Sequence, residues 1–328
     1  MARGAYIVSS PLKELVIEVT QECPMECIYC STNAGPDKLC ELPINVVKRV
    51  IVDASRMGVK TVAISGGEPL CYSQLETVLQ VITRMGLNAV IYTSALTRKQ
   101  AVPQADVWSN VKALGKTVVR VNFVSTVPRH YEAISRGNYE AAKTGAQLIV
   151  NTGAPLEAHV VVTRANLGDI TTTIADLLSW GAKKVKLLRF VPQGRGWDNR
   201  AELSLGLSSD VKETLAQVEK QFEPWEVEIG LPFGQYSNVC EACDAGLGKL
   251  VLTPQNRLVM CSAFKGVFGA EVREQRLWRA MQDRDYYEQT LSLWAIRNKC
   301  AECKERLTCM EMCPAQMYYC QKEKEKSG

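Results

Sequence analysis

Short apolar runs alternate with segments of helical apolar spacing over the first 190 residues. Six runs rich in β-branched residues predict strands at 15–20, 61–65, 89–93, 117–123, 158–163 and 184–190. Helical spacing is clearest at 42–57, 73–86 and 169–180, each of which ends at or beside a glycine. The helices between the third and fifth strands are less clear, because Pro103 and Pro128 interrupt them.

Repeated strand–helix units predict an α/β fold with a parallel sheet, either open or partly closed into a barrel. Active sites of such sheets lie at the carboxyl ends of the strands. We therefore examine the residues that directly follow each predicted strand for chemistry.

The composition is that of an ordinary soluble protein, with 328 residues, 46% hydrophobic and 23% charged. This excludes disordered, collagen-like and low-complexity chains. No apolar run reaches the roughly 18 residues of a membrane-spanning helix. The N-terminal residues do not resemble a secretory signal, so we expect a cytoplasmic protein without a membrane partner.

The formal net charge is +4, from 39 Lys and Arg against 35 Asp and Glu. This value counts every cysteine as neutral, whereas metal binding deprotonates thiols. No dense basic block is present, so we expect no nucleic-acid partner.

Cysteine is the unusual residue, with 13 Cys against 2 His. An odd number of cysteines in a cytoplasmic chain fits metal ligands better than a disulfide framework. Three cysteines lie at 23, 27 and 30, two at 40 and 71, and eight from 240 onward. This distribution predicts a front domain at 1–200, a linker or bridging region at 201–239 and a cysteine-rich domain at 240–328.

Cys23, Cys27 and Cys30 follow the first predicted strand closely. Three thiolates in one loop can bind three irons of a 4Fe–4S cluster and leave the fourth iron open to an external ligand. The alternatives are chance placement or a zinc site, but zinc usually takes four ligands from two short pairs.

The spacing Cys-x3-Cys-x2-Cys, with Tyr29 before the last cysteine, resembles the signature of the radical SAM superfamily. The second predicted strand ends in Ser65-Gly-Gly-Glu-Pro69, which is similar to the Gly-Gly-Glu-Pro motif of that family. The resemblance covers essentially the whole chain. It implies a partial TIM-type barrel of six βα units with a small cysteine-rich C-terminal domain that carries auxiliary clusters.

The resemblance also implies that the open iron binds S-adenosylmethionine (SAM). One electron would cleave SAM to a 5′-deoxyadenosyl radical that abstracts a substrate hydrogen. A flavodoxin- or ferredoxin-type protein is the expected reductant. The candidate SAM-binding residues are Tyr29 near adenine, Gly66, Gly67, Glu68 and Pro69 of the motif, Thr93, Ser94 and Ser125 after later strands, and Arg136. For Thr93, Ser94, Ser125 and Arg136, ordinary turn polarity or a surface role is the alternative.

The C-terminal cysteines resemble those of a SPASM domain, which holds two further 4Fe–4S clusters. This resemblance assigns Cys240, Cys243, Cys261 and Cys313 to one cluster, and Cys300, Cys303, Cys309 and Cys320 to the other. Two zinc ribbons are the alternative. Asn256 stands where the family often has glycine, and Asn tolerates the left-handed conformation of a tight hairpin.

The resemblance favours modification of a peptide, by epimerisation or cross-linking. The alternative is an epimerase or dehydrogenase of a sugar-like or aminoglycoside-like small molecule. A sulfatase maturase is less favoured, because Ser262 follows Cys261 where such enzymes place an Asp. A non-catalytic iron–sulfur electron carrier would not need the Gly-Gly-Glu-Pro motif.

Cys40 and Cys71 remain after the eleven predicted ligands are assigned. A thiol can return a hydrogen atom to a substrate radical, so Cys71, with Cys40 as the second candidate, is a possible hydrogen donor in an epimerisation. The alternative is that both are inert buried thiols.

Overall fold

A computed structural model describes most of the front of the chain and parts of the C-terminal quarter. The described residues are 12–205, 209–230, 233, 236–238, 243, 245–246, 248–265, 269–272, 274–284, 286, 288, 290, 313, 315 and 318–319. Cys240, Cys300, Cys303, Cys309 and Cys320 lie outside them. No helix in the described ranges is long and apolar enough to cross a membrane.

A single sheet organises the described chain, with the strand order β10-β9-β8-β1-β2-β3-β4-β5-β6-β7. Its strands are β1 Glu14–Glu18, β2 Thr61–Ser65, β3 Asn88–Thr93, β4 Thr117–Asn122, β5 Leu156–Val162, β6 Val185–Arg189, β7 Val227–Ile229, β8 Lys249–Leu252, β9 Arg257–Val259 and β10 Ala270–Glu271. Neighbours from β8 through β1 to β7 are parallel, and β9 and β10 are antiparallel additions at one edge.

The six predicted strands are confirmed, and helices connect them as expected. The helices are α1 Ile44–Arg56, α2 Leu75–Arg84, α3 Ala105–Ala113, α4 Pro128–Ser135, α5 Tyr139–Asn151, α6 Ile170–Ser179, α7 Arg195–Asp198, α8 Arg200–Leu203, α9 Ser209–Gln221 and α10 Leu277–Ala280. Pro128 does not interrupt a helix but opens α4, where its missing N–H costs nothing.

Side chains alternate between the two faces of the sheet. On β5, Leu156, Ala158, Val160 and Val162 join the apolar core under the helices. The intervening positions, such as His159, face the interior of the partial barrel and line its cavity. This two-residue period is that of a strand with a different environment on each face.

The interior of the barrel has an apolar half and a charged half. Strands β9, β8, β1, β2 and β3 contribute a small buried cluster of Val16, Ala63, Val90, Val251 and Val259. Strands β4 to β7 contribute the ion pairs of Arg120 with Glu157 (2.7 Å) and of Glu228 with Lys186 and with Lys184 (3.0 Å), which directly precedes β6. The first half also holds one ion pair, between Lys249 on β8 and Glu14 on β1 (3.1 Å).

The β8–β9 hairpin lies within the predicted cysteine-rich domain, yet β8 pairs in parallel with β1. The sheet thus continues across the predicted boundary at residue 240, and the division into three regions stays a prediction. Asn256 has φ of 60° in the hairpin turn, which confirms the expectation of a left-handed residue there.

Strand β7 forms the opposite edge of the sheet, and one side chain covers its backbone. The Asn238 amide accepts from the N–H of Ile229 (2.8 Å) and donates to the carbonyl of Val227 (2.7 Å). The N–H of Asn238 also donates to the Ile229 carbonyl (3.3 Å). Asn238 therefore takes the place that a further strand would occupy.

Candidate active site at the carboxyl ends of the strands

A cavity of about 480 Å³ opens where the parallel strands end. Its wall includes Glu18 at the end of β1, Glu68 after β2, Asn122 at the end of β4 and Gln193 after β6. This is the position expected for the active site of a parallel α/β sheet.

Cys23, Cys27 and Cys30 line this cavity together. Backbone hydrogen bonds fix their loop. The N–H of Cys23 donates to the Gly35 carbonyl (3.1 Å), and the N–H of Cys30 donates to the Cys27 carbonyl (3.1 Å). Burial and the neighbouring Cys30 raise the pKa of the Cys27 thiol to about 12. Without metal the Cys27 thiol is protonated, and a cluster that binds it must displace that proton.

The donor set fits an iron–sulfur cluster better than a single ion. Within the described ranges, no three Cys, His, Asp or Glu side chains are close enough to share one ion. A 4Fe–4S cluster instead gives each cysteine its own iron, so its ligands are spread around a larger body. Three thiols that line one cavity from one loop meet that requirement.

The Gly66–Gly67 turn lies directly against the segment that enters the cysteine loop. A Cβ on Gly66 would lie 2.5 Å from the Thr20 carbonyl oxygen, and one on Gly67 would lie 2.2 Å from the Glu22 carbonyl oxygen. The sequence suggested that these glycines admit a ligand. The structure shows that the absence of a side chain at these two positions makes room for the neighbouring backbone. The N–H of Gly67 donates to the Thr20 carbonyl of that backbone (2.6 Å).

The Glu68 carboxylate is buried in a set of hydrogen bonds. One oxygen accepts from the Thr93 hydroxyl (2.6 Å) and the Leu70 N–H (3.1 Å), and the other accepts from the N–H and the hydroxyl of Ser94 (2.6 Å each). Burial raises the pKa of Glu68 above its usual range, while these hydrogen bonds oppose the shift.

Thr93 and Ser94 were expected to contact SAM, and here they orient Glu68. A carboxylate has about four acceptor positions, and these four donors fill them. An ammonium group that binds Glu68 must therefore replace one of the two hydroxyls, which can rotate away.

Tyr29 lies on the cavity wall and is 9% exposed. Its hydroxyl accepts a hydrogen bond from the Asn122 amide (2.9 Å). The contact fixes the ring between the cysteine loop and β4, where a flat aromatic surface faces the cavity.

Three predicted SAM contacts do not lie on the cavity wall. Ser125 is fully buried, and its hydroxyl donates to Asp169 (2.8 Å) at the start of α6. Arg136 is an exposed left-handed residue at the end of α4. Pro69 opens the short 3₁₀ turn Pro69–Cys71 behind Glu68. The structure does not support direct SAM contacts for these residues.

Neither candidate hydrogen donor reaches the cavity wall. Cys71 is 1% exposed, and Arg98 donates to its carbonyl (2.7 Å). The Cys40 thiol donates to the Pro254 carbonyl (3.4 Å) on the β8–β9 side. A donor must contact the substrate carbon, so the structure does not support this role for either thiol.

The segment 193–199 after β6, here called the strap, crosses the cysteine loop and was not singled out from the sequence as part of the site. Arg195 donates to the carbonyls of Cys27 (3.0 Å) and Ala34 (2.6 Å), and Asn199 to that of Ile28 (3.2 Å). A Cβ on Gly194 would lie 2.5 Å from the Cys30 carbonyl oxygen. In the sequence, Gly194 was the one sign of this close approach, because a residue without a side chain can lie directly against another backbone.

Cys261 precedes the 3₁₀ turn Ser262–Phe264. Cys261, Ser262 and Lys265 all line the cavity. The Lys265 ammonium pairs with the buried Glu18 carboxylate, whose pKa is raised by burial in spite of this partner. The second oxygen of Glu18 has no hydrogen-bond partner among the described residues.

Of the remaining predicted cluster ligands, Cys243 and Cys313 are described. Cys313 packs against the apolar core. Neither lies on the cavity wall. The ligand sets of the two auxiliary clusters thus stay predictions.

Comparison with known proteins agrees with this geometry. Residues 17–177 match the model of the Radical SAM superfamily. PqqA peptide cyclase of Methylobacterium nodulans is 28% identical over 270 residues, which cover 78% of this chain and 68% of that protein.

Two crystal structures share the fold. Streptococcus suis SuiB bound to precursor peptide SuiA has a TM-score of 0.73 at 16% identity. The match covers 95% of this chain and 73% of the SuiB chain. The protein anSMEcpe with bound AdoMet and the Cp18Cys peptide has a TM-score of 0.68 at 12% identity. The match covers 95% of this chain and 94% of the anSMEcpe chain. At these identities the likeness concerns the fold alone.

Proposed function

Because the chain carries a domain of the radical SAM superfamily, we propose that it cleaves SAM in this cavity and modifies a peptide, forming a cross-link. The observation that carries the proposal is the shared cavity. The cysteine loop and the Gly66–Glu68 turn, which are the two motifs of that chemistry, face it together.

The residues divide the work of binding. Cys23, Cys27 and Cys30 would bind three irons of a 4Fe–4S cluster as thiolates. Glu68 would accept from the amino group of SAM, and the Tyr29 ring would lie against its adenine. When bound, the reduced cluster supplies the electron that cleaves SAM to a 5′-deoxyadenosyl radical.

A peptide substrate is supported by the relatives. The named relatives include a peptide cyclase and a protein bound to its precursor peptide. A small sugar-like substrate has no corresponding support.

Cross-linking is favoured over epimerisation for a structural reason. Inversion needs a hydrogen donor beside the substrate carbon, and neither Cys40 nor Cys71 lies on the cavity wall. A cross-link would need no such donor. One hydrogen atom would leave to the 5′-deoxyadenosyl radical, the two positions would then bond, and the second hydrogen would leave as a proton to solvent and an electron to an auxiliary cluster.

Two auxiliary 4Fe–4S clusters belong to the proposal. Cys261 stands on the cavity wall, where a cluster would lie near the substrate. The thiols of all three sites must stay reduced, which fits the cytoplasm and a flavodoxin- or ferredoxin-type electron donor.

The test is anaerobic reconstitution with iron and sulfide, followed by reduction in the presence of SAM. We expect about twelve iron atoms per chain, at four per cluster, and formation of 5′-deoxyadenosine. Coexpression with short peptides encoded beside the gene should yield a product lighter by two hydrogen atoms. Unchanged mass with deuterium uptake from solvent would indicate epimerisation, and zinc as the dominant metal would contradict the proposal.

A further inference from the structure

Gln193 is the one strap residue whose side chain reaches both described cysteine-bearing segments of the cavity. Its amide nitrogen donates to the Ser31 carbonyl (3.0 Å) and to the Ser262 carbonyl (3.2 Å). Its amide oxygen accepts from the Tyr319 hydroxyl (2.8 Å). The side chain is 5% exposed, and both of its N–H donors are used.

The bonded carbonyls stand directly beside cysteines. Ser31 follows Cys30 of the cysteine loop, and Ser262 follows Cys261 of the neighbouring turn. The three partners are 162, 69 and 126 residues from Gln193 along the chain. One amide thus joins three distant segments at the cavity.

We propose that Gln193 is a positioning residue that holds the Cys261 turn, together with Tyr319 near the C-terminus, at a fixed distance from the cysteine loop. The inference rests on the proposed function in so far as both segments bind clusters. The spacing would then set the distance between two redox centres at the cavity.

The strap gives Gln193 a fixed base. Gly194 lies against the Cys30 carbonyl, and Arg195 binds the Cys27 and Ala34 carbonyls, so the backbone here moves with the cysteine loop. The hydrogen bond from Gln193 to Ser262 therefore joins the strap and cysteine loop, as one unit, to the Cys261 turn. Further described ties at this place are the ion pair of Lys265 with Glu18 and a row of ring contacts from Trp197 of the strap through Tyr319 and Tyr318 to Phe264 of the turn.

The role needs an amide and not merely a polar side chain. Both bridging bonds are donations to carbonyl oxygens, and the residue adds no charge near the thiolates. Leucine at this position removes all three bonds. Glutamate keeps the bond from Tyr319 but turns a carboxylate toward two carbonyl oxygens.

The chain offers a matched control in Gln100. Its amide nitrogen donates to the Pro24 carbonyl of the same cysteine loop (3.2 Å), and its other described side-chain bonds go to Arg136 and Asn138 and not to the Cys261 turn. Tyr319→Phe is the second control, because it removes only the third bond of Gln193.

Hydrogen exchange measures the coupling in metal-free and in reconstituted full-length protein. The reporters are the Cys30 amide, bonded to Cys27, and the Phe264 amide, bonded to Cys261 (2.9 Å). In Gln193→Leu and Gln193→Glu, we expect both amides to exchange about tenfold faster, which corresponds to loss of a buried hydrogen bond. Gln100→Leu should leave Phe264 unchanged.

A spectroscopic signature separates positioning from general loosening. In reduced holoenzyme, the magnetic interaction between the two clusters should change in Gln193→Leu and stay the same in Gln100→Leu and Tyr319→Phe. Faster exchange in one segment only, or equal acceleration at Phe264 in Gln100→Leu, would overturn the inference. Because exchange is also measured without metal, failure of cluster binding would be seen separately as a failure of the proposed function.

Discussion

The two halves of the barrel interior are built on different physical principles. The half formed by β9, β8, β1, β2 and β3 has a buried cluster of valine and alanine with a single ion pair, Lys249 with Glu14, and above it the Glu68 carboxylate is held by hydroxyl and amide donors. The half formed by β4 to β7 carries Arg120, Glu157, Lys186 and Glu228 in ion pairs.

The difference teaches where each half is sensitive. Contacts on the motif side depend on backbone fit, because the glycine turn leaves no room for a side chain. Contacts on the charged side depend on neutralisation, because a partly buried charge without its partner is costly. We therefore expect the first half to control cofactor binding. We expect the second half to control the stability of the folded protein and the charge of the cavity wall.

The strongest test of the motif half is replacement of Cys23, Cys27 and Cys30 together by alanine. SAM cleavage should be abolished, and the iron content should fall by about four atoms per chain. Iron analysis and assay of 5′-deoxyadenosine measure both effects. If SAM cleavage persisted, the cysteine loop would not be the reactive centre.

Glu68→Ala should weaken SAM binding by about 1.5–3 kcal/mol, the range for hydrogen bonds to charged groups. The clusters should remain, because Glu68 is not a ligand. Calorimetric titration of reconstituted protein measures the change. Ser94→Ala is the matched control, since it removes a donor that competes for the carboxylate and should preserve binding. Equal SAM affinity in the wild type and in Glu68→Ala would show that the Gly-Gly-Glu-Pro motif acts only as a tight turn.

Arg120→Met tests the charged half. Arg120 donates to Glu157 (2.7 Å) and to the Tyr92 hydroxyl (3.0 Å), so its loss leaves a partly buried carboxylate unpaired. We expect the free energy of unfolding to fall by about 1–3 kcal/mol, with SAM affinity unchanged. In the double variant with Glu157→Met, the loss should be smaller than the sum of the two single losses. Additive losses would mean that the pair does not interact.

His159 gives the smallest effect, and it depends on pH. Burial, followed by Arg120, Lys186 and Lys249, lowers the pKa of His159 well below 6.5. The unfolded chain then binds a proton that the folded chain does not, so acid favours unfolding below about pH 6.5.

His159→Gln should therefore lose less stability than wild type between pH 7.5 and 5.5. The difference in slope is at most about 1.4 kcal/mol per pH unit. Denaturant unfolding at several pH values measures it. Parallel pH profiles for the two proteins would show that His159 is not held neutral.

The sequence predicted the parts of the fold that depend on local pattern. The six longer strands and the helices α1, α2 and α6 follow from hydrophobic spacing. Strands β7 and β8 have three and four residues and no distinct run, and their pairing partners β6 and β1 decide their state. Such short strands are defined by the sheet and not by their own residues.

The candidate site shows the same division. Cys23, Cys27, Cys30 and Glu68 could be identified because their spacing is itself a motif. Gln193 could not, because its partners lie 69 to 162 residues away and a buried glutamine has no periodic signature. Ser125 shows the opposite error, since a hydroxyl at a strand end serves a neighbouring helix as readily as a ligand.

The Asn238 side chain has a consequence for the protein in a crowded cell. An exposed strand edge is a template on which another chain can grow a shared sheet, and this is a common first step of aggregation. Asn238 occupies the hydrogen-bonding groups of Val227 and Ile229 from within the same molecule. The barrel can therefore stay open at this side without offering a surface on which molecules polymerise.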